Sequence, residues 1–214
     1  MKVTIGISCY KQKKWLHRCL RSLASQTLSK NEFEVVVVND DLQENLSEIC
    51  ESMKDLLNIR LINNPKNLGL PASLNKILKS ARGRYFVRVD SDDYVSSHFV
   101  HTLSLFLDMN RAYQAVACDY QKVDEVGQLL TRHSAKEEPI ACGVMFTYES
   151  LCEINFYDEN FRMREGHDLI NRFLKKLSLF HLPMSLYRYR MHGENRTNDL
   201  QELKKYDEAL AHGQ

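Results

Sequence analysis

The sequence predicts an α/β fold in which a Rossmann-like, mostly parallel central sheet is flanked by helices on both faces. Three observations carry that prediction. Apolar runs of strand length alternate with apolar residues at helical spacing through the first half of the chain. One of those runs, Val35-Val36-Val37-Val38, is β-branched without alternation, as a strand covered on both faces requires. The polar groups Ser8-Cys9-Tyr10, Asn39-Asp40-Asp41, Asn63–Asn67 and Asp90-Ser91-Asp92-Asp93 each follow an expected strand, at the edge where open α/β sheets bind ligands.

In chain order, Val3–Ile7 reads as the first strand, and Trp15, Leu16, Cys19, Leu20 and Leu23 as one helical face. The valine run is the second strand, followed by Leu46, Ile49, Met53 and Leu57 at helical intervals. Ile59–Ile62 is a third strand. Leu70–Lys79 is a helix with Pro71 in its first turn, where a missing N–H is tolerated. Tyr85–Val89 is the next strand. Strand–helix alternation of this kind implies right-handed crossovers and parallel pairing. The second half is less regular: Phe99–Leu107 reads as helix, Ala115–Cys118 as strand and Lys122–Pro139 as polar loop or hairpin. Leu169, Ile170, Phe173 and Leu174 mark a helix, and Leu200–Leu210 a polar terminal one.

Composition narrows the class. The 214 residues are 43% hydrophobic and 27% charged, which excludes disordered and fibrous chains. Lys and Arg total 29 against 28 Asp and Glu, so no net field selects nucleic acid or anionic lipid. The six cysteines form no CxxC pair and no disulfide framework, and no apolar stretch approaches the roughly 20 residues of a membrane helix. The expectation is a reducing, cytoplasmic, soluble protein of one domain.

Asp90-Ser91-Asp92-Asp93 crowds three carboxylates into four residues. They repel one another unless a positive group sits among them. A hard divalent cation shared with a diphosphate would relieve that repulsion, whereas the plain alternative is a solvated turn capping the next helix. Asp40 either accepts the ring N–H of a pyrimidine or caps a helix. Gly69, in Asn67-Leu68-Gly69, either admits a ligand close to the backbone or satisfies a positive φ. The basic run Lys11, Lys13, Lys14, Arg18 and Arg21 is a solvated face or an attractor for an acidic acceptor. Arg164-Glu165-Gly166-His167-Asp168 is an acid-rich helix start or holds a carboxylate base. His192 is structural or faces the site from the turn Gly193–Thr197.

Taken together, these segments resemble the family 2 glycosyltransferases, inverting enzymes of the GT-A fold. The resemblance is near-continuous over residues 3–94, thins between 110 and 155, and returns at 164–198. It rests on Ser8-Cys9-Tyr10 through Gln26-Thr27, Val37-Val38-Asn39-Asp40, Asn67-Leu68-Gly69 with Asn75, the DxD segment Asp90-Ser91-Asp92-Asp93, and Tyr189-Arg190-Met191-His192. It implies a nucleotide-binding half (1–94), an acceptor-binding half (95–198) and a C-terminal helix (199–214). By resemblance, Ser8, Tyr10, Asp40, Asn67, Asp90 and Asp92 bind the nucleotide, Asp92, Asp93 and His192 hold Mn²⁺ or Mg²⁺, and Arg190 or Arg196 neutralises the diphosphate.

Two departures stand out. Asn39-Asp40-Asp41-Leu42 replaces the family's frequent DDGS, and Glu165-Gly166 replaces the acid pair ED, so that Gly166 occupies the base position. Glu165 is the substitute base, with Asp168 one turn behind. The implied activity moves a sugar from a nucleotide sugar, UDP-linked by preference, to a hydroxyl of a surface or capsular glycan, presented as a saccharide or a lipid-linked saccharide. A peripheral membrane contact stays open, and nucleic acid is not an expected partner. Two other readings remain: a degenerate nucleotide-sugar binding module, motivated by Gly166, and a sugar nucleotidyltransferase, disfavoured because Ser8–Lys14 lacks the glycines of a phosphate loop.

Overall fold

The computed structural model describes residues 1–195 and 200–212. Its first half is β1 (Val3–Cys9), α1 (Lys13–Ala24), β2 (Phe33–Asn39), α2 (Ser47–Ser52), β3 (Ile59–Asn63), α3 (Leu70–Lys79) and β4 (Tyr85–Arg88). The four strands pair in parallel in the order β3-β2-β1-β4, as the alternation predicts. The valine run shows why β2 lacks alternation. Val35 and Val37 enter one core with Leu16, Leu20 and Leu23 of α1, and Val36 and Val38 enter the other with Leu74, Ile77 and Leu78 of α3. Both faces are covered, so both must be apolar.

After β4 come β5 (Tyr94–Val95), α4 (Phe99–Met109), β6 (Ala115–Val123), β7 (Leu129–His133), β8 (Val144–Thr147), α5 (Tyr148–Glu153), α6 (Glu165–Leu174), β9 (Leu179–Arg190) and α7 (Leu200–His212). Here the expectation of a mostly parallel sheet needs correction. β8 pairs antiparallel with both β4 and β6, β5 runs antiparallel to β9, and only β9 on β6 restores parallel pairing. The sheet is mixed, in the order β3-β2-β1-β4-β8-β6-β9-β5, with β7 forming a hairpin on β6. Pro183 masks β9 in the sequence. The register jumps from Cys118↔Leu182 to Asp119↔Ser185, so Pro183 and Met184 fall in a bulge where a missing N–H is harmless. Among the described residues, no helix is long and apolar enough to cross a membrane.

At the amino-terminal ends of the parallel strands a buried polar knot ties β1, β2 and β3 together. Thr4 Oγ1 donates to Glu34 Oε1 at 2.8 Å, Arg60 Nε donates to Glu34 Oε2 at 2.9 Å, and the Arg82 N–H donates to Glu34 Oε1 at 2.9 Å. Glu34 is fully buried. Removing one partner of a buried ion pair leaves the other uncompensated. Glu34→Ala is therefore expected to cost about 3 kcal/mol, read as a lowered urea midpoint at unchanged slope.

Candidate active site

The carboxyl ends of β1, β2 and β4 open onto a cleft of about 790 Å³. Ser8, Tyr10, Asp40, Asn67, Asp90, Asp92 and Glu165 all line it. Asp40 directly follows β2 and is buried; Asn64 Nδ2 and the N–H groups of Leu68 and Gly69 donate to its carboxylate at 2.7, 2.9 and 2.9 Å. A carboxylate offers about four lone-pair sites, so one acceptor position is left over. Gly69 takes a positive φ of 88° at the N-cap of α3, which turns its N–H toward Asp40. Downstream of Asp40 the turn that lacks the family's glycine is closed by side chains: Asn39 Oδ1 accepts the Asp41 N–H and Asp41 Oδ1 accepts the Gln43 N–H.

The DxD acids have separate partners. Asp92 Oδ2 accepts from Gln12 Nε2 at 2.8 Å and lies 2.9 Å from His192 Nε2. Because His192 Nδ1 accepts the Glu194 N–H at 3.2 Å, the ring proton is assigned to Nε2, which donates to Asp92. Asp93 turns away from the cleft. One of its oxygens accepts from Tyr187 OH and the other from the Arg190 N–H, both at 2.8 Å, and the same Tyr187 oxygen accepts the Asp90 N–H. Burial, with Asp92 and Asp90 adding to it, raises the Asp93 carboxyl well above the usual carboxylate range.

Hard oxygen donors and an imidazole suit Mn²⁺ or Mg²⁺, so Asp92 and His192 fit a divalent ion; Asp93, which does not line the cleft, does not. Asp90, Asp93 and Cys142 also bring donor atoms within 4.8 Å of one another. Burial and the neighbouring carboxylates push the Cys142 thiol well up, away from the thiolate a metal binds.

A residue not singled out from the sequence occupies the centre. Arg88, the last residue of β4, grips Asp90 through Nε and Nη2 at 2.5 and 2.9 Å and donates from Nη1 to Glu165 Oε1 at 2.7 Å. Burial works against its charge, but Asp90 and Glu165 outweigh that and stabilise the guanidinium further. The available signal was a single charge between Val87 and Val89 in an apolar strand.

Two expected site residues, Asp168 and Arg190, have other work. Asp168 pairs with Arg172, whose guanidinium also donates to the carbonyls of Ile154 and Phe156, and it is not among the cleft residues. Arg190 is fully buried over the Trp15 ring and donates to the carbonyls of Asp92 and Glu125, clamping the DxD loop to the β6–β7 turn rather than reaching the cleft. Asn75 fastens α3 to Tyr157 and Glu159. Arg196 lies outside the described residues. Gly166 has a steric reason: a Cβ there would overlap the Cβ of Ala141, which packs against the start of α6. From the far side, α7 closes over the cleft, with Leu203 lining it and Asp207 gripped by Arg164.

The cleft thus lies at the carboxyl ends of the parallel strands and carries a DxD loop and a buried acid at a helix start. Residues 4–193 match the model of glycosyl transferase family 2, and the chain belongs to that family. It is 35% identical over 109 residues to the poly(ribitol-phosphate) β-N-acetylglucosaminyltransferase TarS of Staphylococcus aureus, a match covering 50% of this chain and 19% of TarS. It is 36% identical over 102 residues to the glycosyltransferase GlyA of Streptococcus pneumoniae, covering 48% of this chain and 14% of GlyA. The matched segments thus span a small part of those relatives. Among solved structures, TarS 1–349 in complex with UDP-GlcNAc superposes with a TM-score of 0.81 at 22% identity, over 93% of this chain and 61% of that one. The fold is GT-A.

Two predictions follow from this geometry. Gly166→Asp, which would restore the family's acid, is expected to lose about 2 kcal/mol of stability by overpacking against Ala141, with no gain in turnover; urea unfolding and a kinetic assay check both. Burial, and then Arg164, hold the His167 imidazole below its ordinary 6.5. As pH falls below 6.5, the unfolded chain takes up a proton that the folded chain resists, so stability declines toward acid. His167→Gln is expected to flatten that decline, measured as Tm against pH.

Proposed function

We propose that this chain is an inverting glycosyltransferase that moves a sugar from a UDP-sugar to a hydroxyl of a surface or capsular glycan. The observation that carries this reading is the convergence of Asp40, Asp90, Asp92 and Glu165, from two strand ends and a helix start, on one cleft. The names of TarS, GlyA and the UDP-GlcNAc complex support it.

In this reading Asp40 uses its remaining acceptor site for the base N–H, beside Ser8, Tyr10 and Asn67, and Asp90 takes the ribose. Asp92 and His192 would hold the divalent ion. That ion, when bound, supplies Lewis-acid stabilisation to the leaving diphosphate. The acceptor oxygen bonds to the anomeric carbon as the bond to the diphosphate breaks and its electron pair leaves with UDP. Glu165, at the positive end of α6, takes the acceptor proton. A second reading, a nucleotide-sugar binding module, draws on Gly166, which puts no side chain at the family's base position.

Calorimetric titration with UDP, CDP and GDP, with and without Mn²⁺, tests both. UDP-selective binding that needs Mn²⁺ and disappears in Asp92→Asn is expected. Glu165→Gln is expected to keep UDP affinity while turnover falls by about 10²–10⁴-fold, the worth of a general base. Binding to none of the three nucleotides overturns the donor site; binding without transfer or donor hydrolysis selects the module.

A further inference from the structure

We propose that Arg88 is a positioning residue that aims the Glu165 carboxylate at the acceptor and ties that aim to the donor-side acid Asp90. The inference rests on the transferase reading above and adds a residue to it. Among the described residues Arg88 is the cation that pairs with both acids: its guanidinium fork holds both oxygens of Asp90 and its remaining terminal nitrogen holds Oε1 of Glu165. The side chains of Arg88 and Glu165 are each 7% exposed, so the contact is desolvated and its geometry fixed.

Two further features make this link necessary. Ala141 occupies the space of any side chain at position 166, so the reacting acid has to be Glu165, one residue earlier on the helix and differently directed. Among the described residues, no other hydrogen-bond partner orients the Glu165 carboxylate: its Oε2 is left for an acceptor hydroxyl while Oε1 stays with Arg88. Without the guanidinium, Asp90 and Glu165 would confront each other as like charges and turn apart. A planar fork suits this double grip, which the single ammonium of lysine does not reproduce.

The test compares Arg88→Ala and Arg88→Lys with the wild-type chain, using Mn²⁺, UDP titration and release of UDP from UDP-GlcNAc and UDP-glucose, with water as the universal acceptor. For a positioning residue, turnover falls by about 10²-fold in both variants, as misplacement of a reacting group does, while UDP affinity, which Asp90 shares with Asp40 and Asp92, falls by a much smaller factor. Added guanidinium ion restores turnover to Arg88→Ala and does nothing for the Arg88→Ala/Glu165→Gln double variant; that rescue is beyond a merely structural role. Turnover near wild type in Arg88→Ala overturns the proposal alone. So does loss of UDP affinity in step with turnover, which would make Arg88 a donor-binding group. A wild-type chain that binds UDP but releases it from neither sugar nucleotide overturns the transferase reading and this role together.

Discussion

Four carboxylates crowd the end of β4, and the structure keeps them compatible by giving every one of them a donor. Arg88 serves Asp90 and Glu165, Gln12 and His192 serve Asp92, and Tyr187 with the Arg190 N–H serves Asp93. In a low-dielectric setting, unshared like charges would drive the loop apart. The donors come from the start of α1, from β4 itself and from the end of β9, so the same bonds that quiet the charges also dock three elements against the loop. Charge compensation and tertiary assembly are one device here.

That device divides the acids by direction. Asp90, Asp92 and Glu165 face the cleft and remain available to a ligand, whereas Asp93 is spent on holding β9. A DxDD segment therefore does two jobs with adjacent residues, one chemical and one architectural. Arg190 belongs to the architectural side: its backbone N–H and Nε bind Asp93 and the carbonyl of Asp92, and its plane lies on Trp15.

Much of this was legible in the sequence because local chemistry dictates it. The valine run announces β2, and the Gly69–Pro71 start fixes α3 at Leu70–Lys79. The position of Asp40, Asp90 and Asp92 after strands points to the cleft without any knowledge of side-chain direction. The misses are non-local. β8 is four residues long, and β9 contains a proline whose bulge is defined only by its pairing with β6. Whether Asp93, Asp168 or Arg190 faces the cleft depends on Tyr187, Arg172 and Trp15, partners that no local window ranks. Arg88 was hidden for the opposite reason: a single charge in an apolar strand looks like an edge effect until Glu165 is placed beside it.

The donors from β9 have a bearing on the order in which the molecule comes into being. Tyr187 and Asp93 are 94 positions apart, and His192 and Asp92 are 100 apart. On a ribosome the parallel half of the sheet emerges first, bringing Gln12 and Arg88 to the acidic loop, while the donors to Asp93 and the second donor to Asp92 arrive only with the last strand. Contacts of such separation form late, after the cost of closing a long loop has been met. A nascent chain halted short of β9 therefore leaves Asp93 without Tyr187 and the Arg190 N–H, and Asp92 without His192, where the finished protein has a pocket.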